Sequence, residues 1–194
     1  MPRIITGQAK GVKLLMPAGD FCRPTPGRTK EALFSILADR VEGSRVLDVF
    51  SGSGQIGLEA LSRGARQVVM IESDRRALAV LDENIRRTGL GDRAVVLAGD
   101  YRHRLRGLAG GQDAFDLIYL DPPWTRAVDY MEKASALLYP LLAPEGLVVI
   151  ETRAEELPEH LFDPVLSRLR SCQYGTGVLS FYQFRPDESA FDEL

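Results

Sequence analysis

Five short apolar segments alternate with helical patterns through the middle of this 194-residue chain, and this alternation constrains the fold more than any other feature. The apolar segments cover residues 46–50, 68–71, 94–98, 116–120 and 147–150. Helical spacing of apolar residues separates them, near residues 56–63, 75–87 and 127–142. Continuous apolar strands that alternate with helices are typical of a mostly parallel sheet with both faces covered.

The two ends of the chain predict further elements. Residues 165–171 and 178–184 flank a Gly-containing turn and predict a closing antiparallel pair. Residues 3–6 and 12–16 flank two glycines and predict an N-terminal β-hairpin. A loop rich in Pro and Gly follows, and residues 29–40 have the spacing of a helix.

Together these patterns predict an α/β fold with a Rossmann-like, doubly wound, mostly parallel seven-stranded sheet. We expect a C-terminal antiparallel strand and an N-terminal β-hairpin extension to complete it. The predicted division is an extension over residues 1–40, a core domain over 41–186 and an acidic tail over 187–194.

The composition is that of a globular protein, with 45% hydrophobic and 26% charged residues. No apolar run approaches the roughly 20 residues that a membrane helix needs, and the first residues lack the layout of a signal peptide. Cys22 and Cys172 are too few for a disulfide framework, and no His/Cys cluster has zinc spacing. We therefore expect a cytoplasmic protein that is monomeric and binds neither a metal nor a membrane.

Charge is distributed unevenly along the chain. The net charge is −3 overall, but residues 1–30 contain six basic residues and one acidic residue. The basic residues are Arg3, Lys10, Lys13, Arg23, Arg28 and Lys30. A basic segment on an acidic protein predicts a local surface for the phosphates of a nucleic acid. The alternatives are a solvated hairpin, or pairing of Arg23, Arg28 and Lys30 with Glu31 and the end of the following helix.

A glycine-rich turn follows the first apolar segment. Gly52, Gly54 and Gly57 match the pattern G-x-G-x-x-G, and Glu72 lies 20 positions after Gly52, at the end of the next strand. Such glycines let a ligand approach the backbone, and such an acid binds ribose hydroxyls. The pattern predicts an adenosine cofactor without separating NAD from others.

Asp48 favours one of these cofactors. A carboxylate just before the turn is unfavourable beside a pyrophosphate, but it suits the ammonium and sulfonium groups of S-adenosylmethionine. The alternative is that Asp48 only orders its own loop. Asp100 and Tyr101 follow the third strand, where they would contact the adenine amine and ring. Their alternative roles are a helix N-cap and a half-buried surface tyrosine.

Asp121-Pro122-Pro123-Trp124 ends the fourth strand on the same side. Two prolines make this backbone rigid and remove two N–H donors. The Asp121 carboxylate and the Pro122 carbonyl can then each accept one N–H of an exocyclic amine and direct its lone pair at a methyl donor. Trp124 offers a flat face for stacking a base. This segment therefore predicts amine methylation by direct transfer.

These motifs, in this order, resemble class I S-adenosylmethionine-dependent methyltransferases with an Asp-Pro-Pro-aromatic signature. The chain is most similar to the RsmD family of bacterial 16S ribosomal RNA guanine-N2 methyltransferases. The similarity spans residues 3–184, and its specific blocks cover residues 3–11, 23–34 and 58–65, with a last match at 174–175. Trp124 departs from the family, which more often has Tyr or Phe there.

The resemblance implies a role for individual residues. Asp121 and Pro122 would contact the target amine, and Trp124 would stack on guanine. Cofactor contacts are implied for Asp48, Gly52, Gly54, Glu72 and Asp100, with Thr25 near the cofactor. The basic hairpin would contact 16S ribosomal RNA in an assembling small ribosomal subunit.

Other functions remain open from the residues alone. An amine methyltransferase acting on DNA adenine or protein glutamine would use the same chemistry, although 194 residues leave little room for a DNA target-recognition region. An NAD-dependent oxidoreductase would use the glycine pattern but would leave Asp121–Trp124 without a role. A non-enzymatic RNA-binding assembly factor would use only the basic hairpin.

Overall fold

The computed structural model describes residues 1–17, 26–109, 111, 114–123, 127–153, 161–162 and 164–185. The helices are α1 (Gly27–Leu37), α2 (Gln55–Ser62), α3 (Arg75–Thr88), α4 (Tyr101–Leu108) and α5 (Ala127–Leu138). The strands are β1 (Arg45–Val49), β2 (Gln67–Glu72), β3 (Ala94–Ala98), β4 (Phe115–Leu120), β5 (Leu142–Arg153), β6 (Leu166–Tyr174) and β7 (Gly177–Phe184). No helix in the described ranges is long and apolar enough to cross a membrane.

The strands form a seven-stranded sheet in the order β3-β2-β1-β4-β5-β7-β6. Neighbours among β1 to β5 are parallel, whereas β7 is antiparallel to both β5 and β6. The predicted α/β sheet and its antiparallel C-terminal pair are therefore confirmed. The strand order reverses between β1 and β4, and open sheets of this kind bind ligands at such a switch point.

Alternate residues of the central strands supply two separate apolar layers. One layer contains Val46, Met70 and Tyr119 and is covered by α1, α2, α3 and the N-terminal segment. The other contains Leu47 and Ile118 and is covered by α4 and α5. Burial on both faces explains why these strands are continuous apolar runs in the sequence.

The N-terminal hairpin is present, but it is not a pair of regular strands. Only Arg3 and Lys13 form a β-bridge. Further backbone hydrogen bonds cross the hairpin beside this bridge, whereas the N–H groups of Ile5 and Thr6 donate to the two carboxylate oxygens of Glu59 on α2, at 2.8 and 3.0 Å. The hairpin is therefore joined to α2 by backbone donors that it does not use internally.

Two predicted helix boundaries were wrong. The helix predicted to reach residue 142 ends at Leu138, and Pro140 lies in a 3₁₀ turn that leads directly into β5. Proline lacks the N–H that an α-helix requires and clashes with the preceding turn. The helix predicted to start at residue 29 begins at Gly27, directly after Pro26.

Candidate functional site

The carboxyl ends of β1, β2, β3 and β4 bring the predicted site residues to one edge of the sheet. Asp48 lies within β1, Glu72 ends β2, Asp100 lies two residues beyond β3, and Asp121 directly follows β4. Their order along the edge follows from the parallel pairing of these strands. This edge is therefore the candidate functional site.

The glycine turn between β1 and α2 requires its glycines. Gly52 and Gly54 have φ values of +55° and +81°, a left-handed conformation that side chains disfavour. A Cβ atom at Gly54 would also lie 2.4 Å from Cδ1 of Leu81. The shape of the turn therefore depends on glycine at these two positions, where residues with a side chain are disfavoured.

Glu72 fixes this turn from the end of β2. Its Oε2 accepts a hydrogen bond from the N–H of Gly52 at 2.8 Å. Its Oε1 accepts from the N–H groups of Ser73 and Asp74, at 2.6 and 2.8 Å. A carboxylate has about four acceptor sites, so it can still accept from ribose hydroxyls.

Asp48 lies beneath the turn rather than on its surface. Its side chain is only 2% exposed, and its Oδ2 accepts a hydrogen bond from the N–H of Gly57 at 2.9 Å. The structure thus bears out the interpretation in which Asp48 orders its own loop, and contact with a cofactor stays a prediction. Burial raises the pKa of Asp48 to about 7, and the charge of Glu72 adds to the rise.

We predict that Asp48→Asn changes the pH dependence of stability. In the unfolded chain Asp48 ionises near its ordinary pKa of 3.8, but the native protein keeps the proton to about pH 7. The free energy of unfolding therefore falls as pH rises through this window, by on the order of 1.4 kcal/mol per pH unit. Asparagine keeps an acceptor for Gly57 and cannot ionise, so the variant should lose this fall.

Urea unfolding of both proteins across this pH window measures the effect. The stability of Asp48→Asn relative to the unsubstituted protein should grow as pH rises and level off above about 7. Parallel pH curves for the two proteins would contradict the prediction.

Asp100 has the alternative role that the sequence allowed. It is the N-cap of α4, and its Oδ1 accepts from the N–H groups of Arg102 and His103 at 3.0 and 3.4 Å. It also pairs with the Arg102 guanidinium at 3.1 Å, and this hydrogen bond holds the pKa of Asp100 below its ordinary value. Its contact with adenine stays a prediction.

Tyr101 is buried within a cluster of three aromatic rings, not half-buried at the surface. The rings of Phe50, Tyr101 and Tyr130 lie 4.9 to 5.5 Å apart by their centroids. Phe50 has a φ of +65°, a strained conformation that clusters at functional sites. Sequence reasoning missed Phe50 and Tyr130. In the sequence, the position of Phe50 two residues before Gly52 could have indicated a role at this site, whereas no pattern indicated Tyr130.

Asp121 and Pro122 end β4 at the same edge. Asp121 is half-buried and Pro122 is buried. On the same strand, the buried Tyr119 hydroxyl donates to Oε2 of Glu151 at 2.5 Å. Burial raises the pKa of Tyr119 well above its ordinary value, and the charges of Glu151 and Asp121 add to the rise. Glu151, like Phe50 and Tyr130, was not singled out from the sequence.

Not every predicted residue can be placed. Trp124, Thr25 and Arg23 lie outside the described residues, as does the predicted acidic tail. Arg3, Lys10, Lys13 and Arg28 are exposed, as a phosphate-binding surface requires.

The prediction that Lys30 contacts RNA was wrong. Its side chain is 2% exposed, and its Nζ lies 3.1 Å from Oε2 of the fully buried Glu59. The same ammonium donates to the carbonyl of Arg3 at 2.7 Å. Lys30 thus holds α1, α2 and the hairpin together, since a buried charge requires a partner.

Gln55 is the first residue of α2, and the hydrogen-bonding capacity of its side-chain amide is only partly used. It is 6% exposed, and its Oε1 has no hydrogen-bond partner among the described residues. A buried acceptor without a partner is rare in native proteins and indicates a missing ligand or water. Together with the glycine turn and Glu72, this orphaned oxygen indicates that the edge fits a polar adenosine cofactor.

Comparisons with known proteins agree with this geometry. A family model described as Conserved hypothetical protein 95 matches residues 2–183. The protein named Putative rRNA methyltransferase YlbH, from Bacillus subtilis (strain 168), is 34% identical over 189 residues, which cover 94% of this chain and 99% of that protein. Ribosomal RNA small subunit methyltransferase D of Escherichia coli (strain K12) is 36% identical over 155 residues, 79% of this chain and 75% of that protein.

Solved structures give the same result for the fold. The structure of putative methyltransferase yhhF from Escherichia coli has a TM-score of 0.80 and 33% sequence identity. The match covers 96% of this chain and 99% of that one. The fold is that of class I methyltransferases.

Proposed function

This chain belongs to the RsmD family, whose model is described as Conserved hypothetical protein 95, and on that premise we propose that it methylates the exocyclic N2 amine of a guanine in 16S ribosomal RNA. S-adenosylmethionine is the methyl donor. The names of the relatives support ribosomal RNA as the class of substrate. The observation that supports an amine as the methyl acceptor is the position of Asp121 and Pro122. They directly follow β4, on the edge that also holds the glycine turn.

The target amine needs help because its lone pair is delocalised into the guanine ring. The Asp121 carboxylate and the Pro122 carbonyl would each accept one N–H of that amine and orient its lone pair. S-adenosylmethionine, when bound, supplies an electrophilic methyl group on a sulfonium. Asp121 would also stabilise the positive charge that develops on the nitrogen during transfer. Trp124 would stack on the guanine, which must leave its own stack to reach the edge.

The cofactor would be held by the residues around the glycine turn. Gly52 and Gly54 allow close approach to the backbone, and Glu72 would accept from the ribose hydroxyls. Asp100 and Tyr101 would bind the adenine, with Thr25 nearby. Asp48 would act from beneath the turn, through Gly57.

The RNA would be bound by the exposed basic residues of the N-terminal segment. These are Arg3, Lys10, Lys13 and Arg28, together with Arg23. Arginine and lysine contacts to phosphates give affinity that depends on salt but not on sequence. We propose that the protein acts as a cytoplasmic monomer on 16S ribosomal RNA within an assembling small ribosomal subunit.

Methylation with labelled S-adenosylmethionine tests this function. The protein would be incubated with free 16S RNA, with small ribosomal subunits, with 23S RNA and with DNA, and the products would be digested to nucleosides for mass spectrometry. We expect label in 2-methylguanosine from 16S RNA, free or within subunits, and none from 23S RNA or DNA. Label in DNA adenine or protein glutamine, or binding of NAD in place of S-adenosylhomocysteine, would contradict the proposal.

A further inference from the structure

Gln55 lies where the glycine turn becomes α2. Gly54 precedes it as the N-cap in a left-handed conformation and has no side chain to cap the helix. The Asp48 carboxyl accepts from the third N–H group of the helix, that of Gly57. The earlier N–H groups at a helix start carry a partial positive charge and favour an anionic partner. The N-terminus of α2 thus offers donors at the same place where Gln55 offers an acceptor.

The amide of Gln55 is oriented by its neighbours. Its Nε2 lies 3.9 Å from the Sδ atom of Met16, which also accepts a hydrogen bond from the Ser53 hydroxyl at 3.3 Å. The carbonyl of Ser53 accepts in turn from the side-chain amide of Asn84 at 2.9 Å. With the NH₂ group directed at Met16, the Gln55 Oε1 is left as the acceptor without a described partner.

The ligand that fits this place carries both a positive and a negative group. A buried, unpartnered carbonyl oxygen calls for an N–H donor, preferably a charged one. The first N–H groups of a helix favour a carboxylate. The amino-acid end of S-adenosylmethionine carries an ammonium and a carboxylate on the same carbon atom.

We propose that Gln55 binds the methionyl end of S-adenosylmethionine by accepting a hydrogen bond from its α-ammonium group through Oε1. This inference rests on the proposed function only because it requires that the protein binds S-adenosylmethionine. Gln55 thereby distinguishes cofactors that have an amino-acid end from adenosine compounds that lack one.

Binding of two ligands separates this role from a structural one. S-adenosylhomocysteine has the amino-acid end, whereas 5′-methylthioadenosine keeps the adenosine and the thioether but lacks it. Titration calorimetry with Gln55→Leu should show affinity for S-adenosylhomocysteine reduced about tenfold, as expected for one charge-assisted hydrogen bond. Affinity for 5′-methylthioadenosine should be unchanged.

Gln67→Leu is the matched control, because Gln67 begins β2 at the opposite end of that strand, where its side-chain oxygen accepts from Arg45. We expect it to bind both ligands as the unsubstituted protein does. An equal loss for both ligands in Gln55→Leu, or no loss for either, would overturn the proposal. If the unsubstituted protein binds S-adenosylhomocysteine normally in that case, the proposed function stands while this inference fails.

Gln55→Glu tests which end of the ligand is bound and provides a second variant if leucine is not tolerated. A carboxylate keeps an acceptor for the ammonium, so affinity for S-adenosylhomocysteine should be kept or increased. Loss of affinity for that ligand alone would indicate contact with the carboxylate through Nε2, and would overturn the assignment of Oε1. Thermal unfolding of each ligand-free variant verifies that it is folded.

Discussion

Replacing Asp121 with alanine should reduce the rate of methylation by at least about 100-fold. In the proposed function, the substitution removes the acceptor that orients the target amine and the charge that stabilises the developing cation, and losses of this kind typically cost a factor of about 10²–10³. The effect should fall on kcat rather than on cofactor affinity, because we propose that the cofactor is held by the turn after β1 and by Glu72. Single-turnover methylation of 16S RNA measures the rate, and calorimetry with S-adenosylhomocysteine measures the binding.

Two companion variants sharpen this test. Asp121→Asn keeps an oxygen acceptor but loses the charge, so its rate should lie between those of the alanine variant and the unsubstituted protein. Asp116→Asn changes a carboxylate at the start of the same strand, where it accepts from the N–H of Arg45, and should leave the rate unaltered. If Asp121→Ala retained half of the rate or more, Asp121 would have no role at the target amine.

The second large effect is on stability, and it concerns Glu59. This fully buried carboxylate faces the buried ammonium of Lys30 and also pairs with Arg63 at 2.9 Å. Glu59→Gln leaves Lys30 without a full counter-charge in a site where burial already lowers its pKa. Removing one partner of a buried pair costs about 3–5 kcal/mol, so we expect the free energy of unfolding to fall by about that amount.

An exposed ion pair on α3 provides the control. Arg86 and Glu83 lie 2.8 Å apart and are solvent-accessible, so Glu83→Gln should cost less than about 1 kcal/mol. The double substitution Lys30→Met with Glu59→Gln should recover part of the loss, because it removes the uncompensated charge. Urea unfolding of the four proteins measures these differences. A cost for Glu59→Gln as small as that for Glu83→Gln would mean that the pair does not hold the hairpin.

The fold was predictable because its signals are local. Each parallel strand is an apolar run that both layers of the core require, and the glycine turn carries its own pattern. The end of α5 was missed because the apolar spacing continues past Pro140, while the missing N–H of proline ends the helix. The hairpin strands were overestimated because the N–H of Thr6, which would have continued the pairing, donates instead to a side chain more than 50 residues away.

The candidate site was predictable in its order but not in its burial. Asp48, Glu72, Asp100 and Asp121 could be assigned to strand ends from the sequence alone. The burial of Lys30 could not, since it depends on Glu59, which lies 29 positions later in the chain. The conformation of Phe50 and the unpartnered oxygen of Gln55 also depend on contacts that no sequence pattern records.

The attachment of the hairpin to α2 has a consequence for how this surface can vary. The hairpin contributes mainly backbone groups: the N–H groups of Ile5, Thr6 and Ala9 donate to Glu59 and Ser62. The attachment therefore restricts which residues are tolerated on α2 and at Gly7. A Cβ atom at Gly7 would lie 1.7 Å from the Ser62 carbonyl oxygen. The outward side chains can be exchanged without loosening this attachment, so a protein engineer could change the exposed charges of the hairpin while the geometry of the sheet edge stays the same.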